Sequence, residues 1–383
     1  MERLAQSGPI VVYGATGYTG RLVARELARL DAEFVLAGRN AAKLDALVAE
    51  LDAEPETAAV ALDDPAGLRR LFEPAAAVIA CAGPFTVHGE PVLAAAVETG
   101  THYLDTTGEQ TFMRMVFDGY GEPAKRAGAA LVTAMGFDYV PGDMIAALTA
   151  EGMGPLDEVV LAYSVEEFGM TRGTLHSSLR ILGGDPVTYR DGAWVPPSGG
   201  DRAGTWEFPQ PIGRQAMLRF PGGEPITVPR HVDTRNVSVL FSAKSVLPSA
   251  HLAPAADVLM PAMRLALRTP LRRAADALIE RLPEGPEEEA RRACKFTISC
   301  EARAGDTRRR GLIKGSDVYG LTAVSIVRGA LLAAAPGFGH EGALAPAQAF
   351  DPAEFLAAFG EHGVEHEVDP LPAAAAAKSP QPG

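Results

Sequence analysis

An α/β chain is predicted, with a doubly wound parallel sheet followed by a second α+β domain on a mixed or antiparallel sheet. Three observations carry this. Apolar strands alternate with helical patterns over roughly the first 140 residues, the rhythm of a parallel sheet. Three glycines, Gly14, Gly17 and Gly20, lie between the first strand and the first helix. After Phe137 the chain becomes richer in Pro and Gly and its apolar runs turn β-like.

Taken in order, "PIVVYG" reads as a strand and "YTGRLVARELARL" as a helix with apolar positions at helical spacing. "EFVLAGR" and "AAKLDALVAEL" form the second strand and helix, "AAVALDD" and "PAGLRRLFE" the third pair. "AAVIACAGPF" and "EPVLAAAVETG" come next, then the strands "HYLDTTGE" and "AALVTAMGF". Their near-continuous apolar character suits strands covered on both faces. From about residue 155 to 320, "EVVLAYSVEE", "ITVPRHV", "SVLFSAKSV" and "CKFTISCEARA" are expected as strands. "EARAGDTRRRGLIKG" is expected as a hairpin turning near Gly305 and Asp306. "DVYGLTAVSIVRGALLAAA" returns to a helical pattern. The expected domains are 1–140 with 317–370, then 141–316, with 371–383 as a loose tail.

With 383 residues, 47% hydrophobic and 22% charged, the composition is that of a soluble globular protein. A net charge of −13 excludes nucleic acid as the expected partner, since phosphate binding wants a basic face. No secretory signal and no apolar run of membrane-spanning length is visible, so a cytoplasmic location is expected. Cys81, Cys294 and Cys300 are too few for a disulfide framework and lack metal-site spacing, so no metal is expected.

The three glycines carry the chemistry. A strand–loop–helix turn of this spacing must be tight, must let backbone approach a pyrophosphate, and must let the helix pack on the strand. The helix N-terminus then offers N–H groups and partial positive charge to the phosphates. This is the opening of a Rossmann-type sheet. At the end of the second strand an NAD site would place Asp or Glu. Here "LAGRN" places Arg39, with Asn40 and Lys43 nearby, and a guanidinium suits a 2′-phosphate, so NADP is the expected cofactor. Asp63, ending the third strand, is placed to flank the adenine or to cap a loop. The Y-x-x-x-K pair that short-chain dehydrogenases need does not occur.

"GATGYTG", "LAGRN", "CAGPFTVHGEPVLAAAVETGTHYLDTTGE" and "GFDYVPGD" together resemble the saccharopine dehydrogenase-like NADP-binding oxidoreductases. "RGTLHSSL" and "DVYGLTA…GALAPAQAF" bring the resemblance nearest to the branch of trans-acting enoyl reductases of actinobacterial lipid and polyketide pathways. The resemblance implies that Gly14, Thr16, Gly17, Tyr18, Thr19 and Gly20 grip the pyrophosphate and that Arg39 meets the adenosine phosphate. It sets Cys81, Ala82, Gly83 and Pro84 beside the ribose and nicotinamide. It also implies that the helix from about Asp317 returns to the dinucleotide domain. Phe85 stands where many relatives carry Tyr.

A hydride-transferring enzyme still needs a proton donor. The catalytic candidates are His88, Tyr103 and Asp138, with Asp105 and Glu109 also near strand ends. The expected activity is NADP-dependent reduction of a C=C bond in an unsaturated acyl or polyketide-like substrate. Two alternatives stay open: an imine-forming or imine-reducing amino-acid dehydrogenase, or a non-catalytic NADP-binding scaffold. The amino-acid reading wants arginines converging on a pocket, and Arg172, Arg180, Arg214, Arg219 and Arg230 are available. Residues 255–282 combine leucines at helical spacing with several arginines, a pattern that fits a peripheral membrane or carrier-protein contact, or a homodimer face.

Overall fold

Apart from the exposed edge strand Glu56–Ala59, each strand at the start of the chain is a short apolar run with little exposed surface, which fixes it inside a sheet covered on both faces. The computed structural model describes residues 5–197, 204–246 and 265–371. Two compact units emerge. The first holds the chain up to Phe137, Thr171–Ser177 and Tyr319–Ala349; the second holds Asp138–Met170, Ser178–Val318 and the chain from Phe350 on.

The first unit begins with β1 (Ile10–Tyr13), α1 (Tyr18–Arg29), β2 (Phe34–Gly38), α2 (Ala41–Val48), β3 (Glu56–Ala59), α3 (Pro65–Phe72) and β4 (Ala77–Ala80). It continues with α4 (Phe85–Thr99), β5 (His102–Asp105), α5 (Gln110–Met115), α6 (Gly121–Ala127) and β6 (Ala130–Val132). Helix α1 buries Val23, Ala24 and Leu27, the one-face spacing its sequence carries. Asn40 caps α2 by accepting from Lys43 N at 3.0 Å, and Asp64 caps α3, with Pro65 in the first turn. Gly100 ends α4 at φ 72°, where a left-handed residue is needed to turn the chain into β5. The third strand starts two residues before the "AAVALDD" expected from the sequence.

In the second unit come α7 (Val140–Ala150), β7 (Glu158–Glu166), the latter half of α8 (Arg172–Gly183), β8 (Thr188–Arg190), β9 (Ala193–Val195), β10 (Thr205–Glu207) and β11 (Arg214–Arg219). They are followed by α9 (Glu224–Thr227), β12 (Val237–Ser242), α10 (Ala243–Val246), α11 (Leu271–Ile279), α12 (Glu288–Ala293), β13 (Lys295–Ala304) and β14 (Thr307–Ser316). The chain then returns to the first unit with α13 (Val318–Ala333), β15 (Gly342–Leu344) and α14 (Pro346–Ala349). It closes in the second with α15 (Pro352–Ala357) and β16 (Glu365–Val368).

Among the described residues the first sheet is fully parallel, in the order β15-β6-β5-β4-β1-β2-β3. The strand order reverses at β1, between β2 and β4, so the carboxyl ends of β1 and β4 open a crevice where ligands bind in such sheets. The second sheet runs β10-β11-β12-β7-β13-β14-β16, with β8 and β9 attached at β12, and mixes parallel and antiparallel pairs. Both match the predicted fold class.

Three expectations are corrected. "ITVPRHV" is not a strand: its first part ends α9 and Val228–Arg230 makes a 3-10 turn. Pro225 opens that helix and Pro229 has no N–H to give a sheet ladder. Residues 350–370 were assigned to the dinucleotide domain, but β16 pairs with β14, from Gly311↔Val368 to Lys314↔Glu365, which ties this stretch to the second sheet. Cys294 sits at the end of α12 rather than in the strand with Cys300; both thiols are buried. The hairpin is as read, with Gly305 at φ 59° in its turn. Residues 372–383, most of the expected tail, and residues 255–264 of the arginine-leucine segment lie outside the described residues.

Candidate dinucleotide site

The three glycines of the first turn do three different jobs. Gly14 sits at φ +85°, and a Cβ there would come within 2.8 Å of Ala82 N. Its N–H donates to Ala37 O at 2.9 Å, tying the end of β1 to β2. Gly20 faces the loop itself: a Cβ would lie 2.7 Å from Ala15 O and closer still to Gly14 O. Gly17 differs. It is exposed, has φ −77° and ψ 168°, and a Cβ would meet only Gly14 O, at 3.5 Å. Nothing in the fold forbids a side chain at Gly17, so the turn leaves open space above it. Helix α1 begins there with no side-chain cap and no acidic residue in its first turn, leaving its positive end for an anion.

Thr16, Tyr18 and Thr19 are half-buried around this turn. Arg39 is exposed at the end of β2 and forms no ion pair among the described residues. Lys43 and Asp63 are exposed as well. Tyr13, whose hydroxyl donates to Val60 O at 2.9 Å, lies close enough to feel both Arg39 and Asp63; burial raises its phenol first, Arg39 pulls it down, and Asp63 raises it. A free guanidinium and an open glycine cradle at one rim fit a phosphorylated adenine dinucleotide. Asn40 uses its carbonyl oxygen to cap α2, leaving its amide N–H groups to donate.

At the end of β4, Cys81, Ala82 and Pro84 are partly exposed and Gly83 exposed. Burial, then the charge of Asp105, pushes the Cys81 thiol up to about 12, so it stays protonated. Glu109 organises the next turn. Its carboxylate accepts from Phe85 N at 2.8 Å, Thr86 N at 3.1 Å and the Thr86 hydroxyl, capping α4. It also accepts from Ser177 Oγ at 3.1 Å. Phe85 is buried against Phe112 at 5.6 Å between ring centres. His88 is half-buried in the first turn of α4, on the side of the expected nicotinamide loop.

Asp105 is wholly buried and accepts from Thr107 N, Ala134 N and Thr133 Oγ1 at 2.9–3.0 Å. These bonds hold Ala134 at φ 64° and brace the turn after β6. Burial raises the Asp105 carboxyl to about 6 against the pull of those donors. Tyr103 is also wholly buried, and its hydroxyl is held well above its ordinary value by burial and then by Asp105. It cannot touch a substrate, which corrects its place among the catalytic candidates. Its strand neighbour His102 accepts from Ala130 N at 3.0 Å, and burial lowers its pKa.

Sequence reasoning missed Tyr319 and the Thr171–Ser177 segment. The Tyr319 hydroxyl accepts from Thr171 N at 3.0 Å and lies 2.9 Å from Thr174 Oγ1, while its ring stands edge-on to Tyr18 at 5.4 Å. The first half of α8 is thus fastened to the glycine turn at one end and, through Ser177, to the Glu109 cap at the other. The Thr174/Ser177 spacing of one helical turn was the signal available, but nothing in it names the partners.

The second unit holds its own acid cluster. Glu224 is wholly buried and hydrogen-bonded to the Tyr163 hydroxyl, while its Oε2 has no partner. Gly142 and Gly222 leave the room its carboxyl occupies. Burial pushes Glu224 up to about 8, with Asp143 and Asp138 adding to the rise. Asp143 is buried 2.8 Å from His231 Nε2. Asp138 keeps an exposed surface, so solvent reaches it, yet surrounding protein pushes its carboxyl up to about 6.

Comparison with known proteins agrees with this geometry. Residues 10–135 match the saccharopine dehydrogenase NADP binding domain. A Mycobacterium tuberculosis protein provisionally named a trans-acting enoyl reductase is 37% identical over 183 residues, covering 45% of this chain and 44% of that one. The trans-acting enoyl reductase of Mycobacterium ulcerans is 33% identical over 195 residues, covering 47% of each. These alignments span less than half the length of either relative. Apo saccharopine dehydrogenase (L-Glu forming) from Saccharomyces cerevisiae superposes with a TM-score of 0.61 at 13% identity, covering 95% of this chain and 100% of that one, a likeness of fold. Residues 10–135 are therefore similar to a saccharopine dehydrogenase NADP binding domain, and the chain as a whole shares the fold of a saccharopine dehydrogenase.

Proposed function

We propose that the protein is an NADPH-dependent reductase of a carbon–carbon double bond in an unsaturated acyl or polyketide-like substrate. The observation that carries this over amino-acid chemistry is the state of the arginines. Arg230 stacks over Trp194 at 5.3 Å and donates to Ile226 O at 3.0 Å. Arg214 is exposed and donates to Thr205 Oγ1 at 3.0 Å; Arg219, also exposed, reaches Ser238 Oγ at 3.4 Å. These three serve separate local partners, whereas a substrate with several carboxylates wants them converging. Beside the loop ending β4, Val87 in the first turn of α4 is an apolar residue left 50% exposed, next to exposed Thr86. The names of the mycobacterial relatives favour the same reading.

NADPH, when bound, supplies the hydride, which adds to one alkene carbon while a proton adds to its neighbour. The glycine turn and Arg39 hold the dinucleotide's phosphates. Glu109 fixes the first turn of α4 and so the loop Cys81–Pro84. His88 and Asp138 are the proton-donor candidates, since both reach solvent.

The test is NADPH oxidation by the purified protein with α,β-unsaturated acyl thioesters, against a 2-oxo acid offered together with an amino acid. Turnover of the thioester supports the proposal. Oxidation with the oxo acid and amine alone moves the protein to imine reduction. NADPH binding without turnover of either would make it a scaffold.

A further inference from the structure

Four leucines in one short stretch of the second unit face solvent. Leu265 is 69% exposed, Leu271 64%, Leu278 62% and Leu282 44%. Leu271, Ala275, Leu278 and Leu282 recur at helical spacing, so they form one ridge along α11 and the turn after it. The adjoining side is anchored. Ile279 and Leu267 are buried, and Leu267 packs against Gly183 at the end of α8. Arg268 donates to Gly183 O at 3.1 Å and Gly184 O at 3.2 Å, and pairs with Asp185. The ridge is therefore held outward by its own fastening.

Its charges are arranged to match. Arg272 and Arg281 flank the ridge, one on either side, and form no ion pair among the described residues, whereas Asp276, Glu280 and Glu284 hold interactions of their own. Free cations beside exposed leucines, in a chain whose net charge is −13, mark a local exception to its acidic surface. A second copy docking face to face would bring these arginines against their equivalents. No described helix is long and apolar enough to cross a membrane, which leaves contact in the plane of the surface.

We propose that the leucine ridge of α11, with Arg272 and Arg281 beside it, seats the protein on the surface of an anionic lipid bilayer. The leucines enter the acyl boundary while the guanidinium groups meet lipid phosphates. This is independent of the reductase reading, because it uses no residue of the dinucleotide site.

The experiment is flotation of the full chain with vesicles of phosphatidylcholine alone or mixed with phosphatidylglycerol. Wild type floats with the mixed vesicles, less with phosphatidylcholine alone, and less at high salt. L271Q/L278Q lowers mixed-vesicle binding about tenfold or more, and R272Q/R281Q removes the preference for anionic lipid. Glycerol phosphate in solution leaves the wild type unchanged in melting point, which separates a bilayer from a free headgroup. NADPH titration of each variant matches wild type, so folding is monitored by an unrelated site. Failure of the wild type to float, or equal flotation of L271Q/L278Q, overturns the proposal. Conversion of a wild-type dimer to monomer by L271Q/L278Q, without lipid binding, assigns the face to a second copy instead.

Discussion

Alanine at two of the three turn glycines is expected to have opposite consequences, and the structure sets both magnitudes. At Gly17 the backbone is extended and a Cβ finds its first neighbour at 3.5 Å, ordinary contact. Gly17→Ala is therefore expected to change stability by less than about 1 kcal/mol, the range of a helix N-cap exchange. Its methyl, however, would stand in the proposed phosphate site, beside the N–H groups of α1. Losing one or two hydrogen bonds to a charged group costs roughly 1.5–3 kcal/mol each, so NADPH affinity falls tenfold or more. At Gly20 the same methyl would lie 2.7 Å from a backbone oxygen that cannot rotate away. Overpacking of this kind costs about 1–3 kcal/mol, so Gly20→Ala lowers the melting point by several degrees before any ligand is added. Thermal melts with and without NADPH, and a fluorescence titration, separate the two. If Gly17→Ala binds NADPH as wild type does, the open space above Gly17 is not the phosphate site. If Gly20→Ala melts with wild type, the contact argument is wrong.

Arg39→Ala is expected to weaken NADPH by about 10–100-fold, from the loss of a charge-assisted bond, and to leave NADH affinity unchanged; equal losses for both would remove the 2′-phosphate role. Glu109→Ala leaves Phe85 N, Thr86 N and two hydroxyls without their acceptor, so stability falls by about 1–3 kcal/mol in chemical denaturation; an unchanged midpoint would contradict the cap. Glu224, at about 8 when folded against 4.5 ordinarily, gives stability that is complete below pH 4.5 and is lost as pH rises to about 8. Asp105 and Asp138, at about 6, act only below that value, and His102, lowered by burial, adds a slope of opposite sign near its ordinary 6.5, so the fall in stability between pH 6 and 8 belongs to Glu224. Glu224→Gln should flatten it in urea titrations, and a persisting slope would place the titration elsewhere.

The dinucleotide half was legible because its rules are local. A parallel sheet buried on both faces needs apolar runs, a pyrophosphate turn needs glycine, and a 2′-phosphate wants a cation where NAD wants a carboxylate. "GATGYTG" and Arg39 carry those demands within a few residues of chain. Proximity across the chain was not legible. Tyr103 reads as a donor at a strand end, yet packing closes over it. Asp143 meets His231, 88 residues away.

The sequence alone determined the alternation of strands and helices, the glycine turn and the choice of phosphorylated cofactor, since each depends on neighbours in the chain and on backbone geometry. Tertiary structure decided that Glu109 caps α4 and binds Ser177, that Tyr319 meets Tyr18, and that residues 350–368 join the second sheet. These contacts depend on which surfaces meet after burial, and burial is a property of the whole fold that no short window of residues contains.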